Sequence, residues 1–241
     1  TCALPILTIM HSPFERSGLQ NGSFDLVIGN VPFGEQKMYD PDYSHDWLIH
    51  DAFFRKALDK VAPGGMVAFI TSSGTMDKQN SKVREYLATQ AELVGAVRLP
   101  NTAFAEAGTG VTADIIFLKK RESPLLAHEA KPDWCYLATD PNGLRINSYF
   151  VENPDMVLGK VVEGNQLYGS GTMVVAEDGF DLKTALHDAV AKLSATISLE
   201  KGRDVYAKTE QGEAVKIPSN LRNFSLFMDN DKVYFKKNNV A

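Results

Sequence analysis

Asn30, Val31, Pro32 and Phe33 follow directly on an apolar run, Leu26, Val27 and Ile28, and their types and spacing suit chemistry. An asparagine amide oxygen beside a free backbone carbonyl makes two acceptors pointing the same way. An aromatic ring three residues on can lie against a flat group held between them. Such a set is a receptor for a planar amino group. Asn and Pro are also ordinary turn residues, so the surrounding elements have to carry this reading.

The first of those elements is the apolar run itself. Residues 26–28 read as a strand buried on both faces, and residues 29–34 as the loop leaving its carboxyl end, where open α/β sheets hold their ligands. Upstream, residues 5–10 read as a short strand followed by a turn containing Phe14 and Glu15. Downstream, Trp47, Phe54, Leu58 and Val61 recur at helical spacing, which predicts a helix over 46–61 capped by Ser44 or Asp46 and stopped by Pro63-Gly64-Gly65. Strands are expected over 66–71, 93–99 and 112–118, with a helix over 80–90 and a loop of small residues over 100–110. Gly108-Thr109-Gly110 precedes a strand and opens no helix, so it is no dinucleotide loop.

Composition narrows the class. A chain of 241 residues with 44% hydrophobic content can bury a substantial core. No stretch approaches the roughly 20 apolar residues of a membrane-spanning helix. The amino end lacks the basic region of a signal peptide, and a cytoplasmic setting is expected. Cys2 and Cys135 stand far apart with no metal-ligand spacing, so neither a zinc site nor a disulfide framework is indicated. A formal charge of −5 argues against a general polyanion-binding surface, because nonspecific grip on nucleic acid comes from lysine and arginine.

The order of strand, Asn30-Val31-Pro32-Phe33, helix, Pro-Gly-Gly and strand resembles the catalytic part of amino-methyltransferases, above all the Asn-Pro-Pro-Phe type N6-adenine DNA methyltransferases. Val31 departs from the first proline of that motif; the family uses this position through its carbonyl, so the acceptor is kept. The resemblance implies an α/β fold, the C-terminal part of a Rossmann-like class I methyltransferase sheet ending in an antiparallel hairpin, followed by a smaller α+β region. It implies S-adenosylmethionine as cofactor, with Phe14 and Glu15 near its adenine edge, and Phe104 as a second aromatic wall for a flipped DNA base. A turn with Phe14 tucked into the core is the plainer alternative.

The family's glycine-rich cofactor turn and its acidic partner are not found before residue 24. The chain is therefore expected to be a fragment, inactive alone, whose partners are DNA, an N-terminal cofactor-binding segment and a helicase domain of the same polypeptide. Residues 147–159 resemble a segment of large phage and conjugative-element methylase-helicase proteins, which points to restriction-modification biology on a mobile element. The expected division is 1–122 as the catalytic half and 123–241 as an accessory region. That region has a linker at 122–132, strands at 134–137 and 173–176, an amphipathic helix over 180–193 and a hairpin over 224–237. Alternative substrates are cytosine N4, an RNA base or a protein glutamine; a different class of reading is a non-catalytic DNA-recognition module.

Overall fold

The computed structural model describes residues 9–34, 36–38, 40, 43, 47–126, 128–164 and 171–193, and the backbone of four later strands. Phe54, Ala57 and Leu58 place one stripe of α1 (Ile49–Lys60) in the core, where the Phe54 ring meets Phe69 edge-on at 5.1 Å. The helix ends before Pro63-Gly64-Gly65 as its sequence predicts, but those residues already belong to the next strand. Gly64 takes φ +74°, and a Cβ on Gly65 would lie 2.7 Å from the Asp25 carbonyl oxygen, so the close approach of the two strands demands glycine.

Four strands form a mixed sheet of order β1-β2-β4-β3, with β1 (Phe24–Asn30) parallel to β2 (Val61–Ser72) and both other pairings antiparallel. The last two, β3 (Ala91–Leu99) and β4 (Ala113–Lys120), form the antiparallel hairpin expected from the family order. Between β2 and β3 come a short α2 (Gly74–Asp77) and α3 (Lys82–Gln90). The fold class is α/β as expected. The expectation that β1 is buried on both faces fails. Leu26 is 46% and Ile28 70% exposed, because among the described residues α1 covers only one face of β1. The expected strand over 5–10 and the helix cap at Ser44 or Asp46 lie outside the described residues, Ile9 and Met10 excepted.

Residues 133–193 share the core of this sheet. The strand expected at 134–137 is instead a 3-10 turn, Asp133–Cys135, which buries Trp134 and Cys135 before β5 (Leu137–Thr139) begins. Then follow β6 (Arg145–Asn147), α4 (Ser148–Glu152), the hairpin of β7 (Lys160–Glu163) with β8 (Thr172–Val175), and α5 (Leu182–Ala191), capped by Asp181. Packing divides the chain between Ile197 and Ser198 and not at the composition shift after Arg121, because Trp134, Ile146, Phe150 and Leu158 cluster with Val97 and Leu118. The unit 198–241 contains two antiparallel pairs, β9 (Val205–Lys208) with β10 (Ala214–Ile217), and β11 (Leu226–Asp229) with β12 (Lys232–Phe235), the latter being the hairpin expected over 224–237.

A buried ionic cluster joins the two parts of the first unit. Arg98 donates two bonds to Asp114, both 2.8 Å, and one to Asp77 at 2.7 Å, and its guanidinium lies 4.2 Å from the centroid of Phe150. Asp77 also accepts the Asn147 backbone N–H at 2.9 Å, and the Asn147 amide donates to the Met76 and Trp134 carbonyls. Each polar group is paired, as burial requires. Burial pushes the Cys135 thiol up to about 12, so it stays an unreactive core residue at neutral pH.

Candidate active site

Asn30 is the last residue of β1, and the pairing with β2 runs one residue beyond it: the Val31 N–H donates to the Ile70 carbonyl at 3.0 Å. A proline at this position has no N–H and could not make that bond. Val31 thus fixes its own carbonyl by backbone pairing, and its side chain, 2% exposed, anchors the motif in the core. Asn30 and Pro32 stay at the surface and Phe33 is half-buried.

All four motif residues line one cavity of about 490 Å³ together with Phe104, Ala107, Thr109 and Val111. The loop between β3 and β4 brings Phe104 to the same cavity as Asn30 and Phe33. Ala107, Thr109 and Val111 escaped notice in the sequence; the signal available was the glycine pair around Thr109, since Gly108 at φ +76° turns the chain after the 3-10 turn Ala105–Ala107. The lining combines apolar walls with few polar groups, the ordinary make-up of a small-molecule site.

Phe14 and Glu15 are not in that cavity. They belong to a 3-10 turn, Phe14–Arg16, where the Phe14 ring packs against Phe53 at 5.1 Å. Phe14 also walls a second cavity of about 280 Å³ that runs along β1 with Leu19, Phe24, Leu26, Val27, Ile28 and Lys60. The Glu15 carbonyl accepts from Lys56 Nζ at 3.1 Å, and the same ammonium pairs with the fully buried Asp40 at 2.5 Å. Lys56 therefore ties the Phe14 turn to the segment that follows the motif.

Behind the motif sits His50, 4% exposed, with Nε2 2.9 Å from Lys78 Nζ, which also pairs with Asp51 at 2.5 Å. Burial lowers the His50 pKa below its ordinary 6.5; Lys78 acts in the same direction, while Asp51 and the Gly34 carbonyl oppose. The ring is neutral in the folded protein at pH 7. Since the folded value is depressed, this contribution to stability is present above about pH 6.5 and is lost as pH falls. The thermal midpoint is expected to fall on going from about pH 7.5 to 5.5, and less so in His50→Gln. An equal fall in both proteins would remove His50 from the effect.

Residues 7–104 match the Eco57I restriction-modification methylase family. The matched segment includes β1, the motif and Phe104, and ends within the loop that lines the cavity. Over 134 residues the chain is 33% identical to Defense against restriction protein B of Escherichia phage P1, a match covering 51% of this chain and 6% of that protein. The chain thus spans a small fraction of that relative's length. Among solved structures, the type I restriction enzyme EcoKI M protein is similar at 19% identity and a TM-score of 0.32, over 47% of this chain and 23% of that one. A putative class I S-adenosylmethionine-dependent methyltransferase from Listeria monocytogenes aligns at 23% identity and a TM-score of 0.33, covering 49% and 39% of the two chains.

Among the described residues, no helix is long and apolar enough to cross a membrane.

Proposed function

We propose that this chain is the catalytic half of a DNA methyltransferase that transfers a methyl group from S-adenosylmethionine to the N6 amino group of adenine. The observation that carries the reading is the convergence of Asn30, Val31, Phe33 and Phe104 on one cavity at the carboxyl end of β1, within a segment matching a restriction-modification methylase family.

The amino nitrogen of a base is a poor nucleophile, because its lone pair is delocalised into the ring. Its two N–H groups donate to Asn30 Oδ1 and the Val31 carbonyl, which hold the nitrogen towards tetrahedral geometry and stabilise the positive charge that develops on it. Phe33 and Phe104 stack on a base rotated out of its duplex, a contact worth about 1–3 kcal/mol per base. The eight described residues that line the cavity include no ionisable side chain, and in this reading the proton released after transfer passes to water. When bound, S-adenosylmethionine supplies an electrophilic methyl group on its sulfonium. The cavity along β1 fits only part of that cofactor: the Phe14 ring offers a face for adenine, while the remaining walls are largely apolar.

Among the described residues β1 pairs only with β2, and its other edge is where the upstream cofactor-binding segment would add strands. DNA grip would likewise come from the rest of the polypeptide, in keeping with the acidic balance of this chain and with a helicase part beyond it. The test is nucleoside mass spectrometry of unmethylated genomic DNA treated with S-adenosylmethionine and either the natural polypeptide containing this chain or residues 1–241 alone. N6-methyladenine is expected from the former and none from the latter. N4-methylcytosine would shift the substrate to cytosine, and neither product would favour the non-catalytic reading.

A further inference from the structure

The wall of the candidate cavity opposite the motif is supplied by the loop that closes the β3–β4 hairpin after the pair Leu99 and Ala113. This loop carries Phe104, and at its base the Ser73 N–H donates to the Thr112 carbonyl at 3.4 Å. A second brace comes from β8. Asn101 N–H donates to the Val174 carbonyl at 2.8 Å, and Val174 N–H donates to Thr112 Oγ1 at 2.9 Å. One residue thus ties both ends of the loop. Val174 is 1% and Thr112 2% exposed, so water cannot substitute for either bond. The hairpin that presents Val174 is itself fixed on β3, where Leu158 N–H donates to the Arg98 carbonyl at 2.9 Å, and its two strands pair Val161 with Val174.

We propose that Thr112 is a positioning residue for the target-base wall, holding the Phe104 loop in place through Val174 of the β7–β8 hairpin. The inference rests on the methyl-transfer reading. Thr112 touches no substrate. Its hydroxyl acts on the loop, and the loop sets where Phe104 stands relative to Phe33. A wall displaced by a fraction of an ångström weakens stacking on the flipped base and leaves the cofactor side untouched.

The test uses the natural polypeptide containing this chain, with unmethylated genomic DNA and labelled S-adenosylmethionine, and compares Thr112→Val, Thr112→Ser and Phe104→Ala. Valine keeps the shape and removes the acceptor; serine restores it. The expected result is that Thr112→Val lowers kcat/KM for DNA about tenfold while KM for S-adenosylmethionine is unchanged, that Thr112→Ser stays within about twofold of wild type, and that Thr112→Val adds little to Phe104→Ala. Unchanged DNA parameters in Thr112→Val would overturn the brace, as would a parallel rise in both KM values or full additivity with Phe104→Ala. If Thr112→Val does not fold, Thr112→Ala, which lets water reach the Val174 N–H, takes its place with the same expected and overturning results. Asn30→Ala run alongside separates the two claims. If it leaves transfer intact, the methyl-transfer reading falls. If it abolishes transfer while Thr112→Val is silent, the brace alone falls.

Discussion

Asn30→Ala in the natural polypeptide containing this chain lowers methyl transfer by about 10²-fold or more, with KM for DNA little changed. In the proposed mechanism the amide oxygen is one of the two acceptors for the amino group, and its work is done as charge appears on nitrogen, so the loss is expected to fall on kcat. Because Asn30 is an exposed residue at the end of β1, the substitution removes no core packing and the fold persists. Asn30→Asp makes a sharper probe: it keeps the acceptor oxygen but replaces the amide nitrogen by a second, charged one, and intermediate activity is expected. The measurement is single-turnover transfer of labelled methyl groups beside a thermal unfolding scan. Activity within twofold of wild type would take Asn30 out of the mechanism.

Arg98→Met is expected to be the most destabilising single change in the first unit, by about 3–5 kcal/mol. Arg98 neutralises two carboxylates whose side chains are both 0% exposed, and the hydrophobic replacement removes the guanidinium bonds that both Asp77 and Asp114 accept. Burial already pushes the Asp114 carboxyl up against the pull of Arg98, which shows how little solvent reaches it. The loss also loosens segment 147–150, since Asp77 holds the Asn147 N–H and Arg98 packs on Phe150. The check is urea unfolding followed by tryptophan fluorescence, with Trp134 in the affected core. Adding Asp114→Leu should restore part of the loss, because it removes one of the stranded charges. A loss under about 1 kcal/mol would mean that water already solvates the cluster.

What could be read from the sequence follows from the range of the interactions. The helical spacing of Phe54 and Leu58, and the halt before Pro63-Gly64-Gly65, are local signals and gave α1 within a few residues. Asn30 to Phe33 were legible because residue type, spacing and the preceding apolar run agree. The exposure of Ile28 was not, since an apolar run records what a strand prefers and carries no record of which neighbours are present. The packing across Arg121 was hidden for a related reason: composition marks a change of pattern, whereas the bonds from Asn147 to Met76 and from Arg84 to the Cys135 carbonyl join residues 71 and 51 positions apart. The Thr112–Val174 bond, 62 positions apart, was invisible for the same cause.

The bare edge of β1 bears on how such a chain survives its own synthesis. Phe24–Asn30 is seven residues long, without proline and with Asp25 as its one charge, which is the profile of a strand that recruits copies of itself. Among the described residues only β2 pairs with this strand, so its other edge is open to any extended chain that meets it. Crowded copies of the chain would clump there first, so the feature that could let a sheet grow also makes the bare strand a hazard to the cell that translates it.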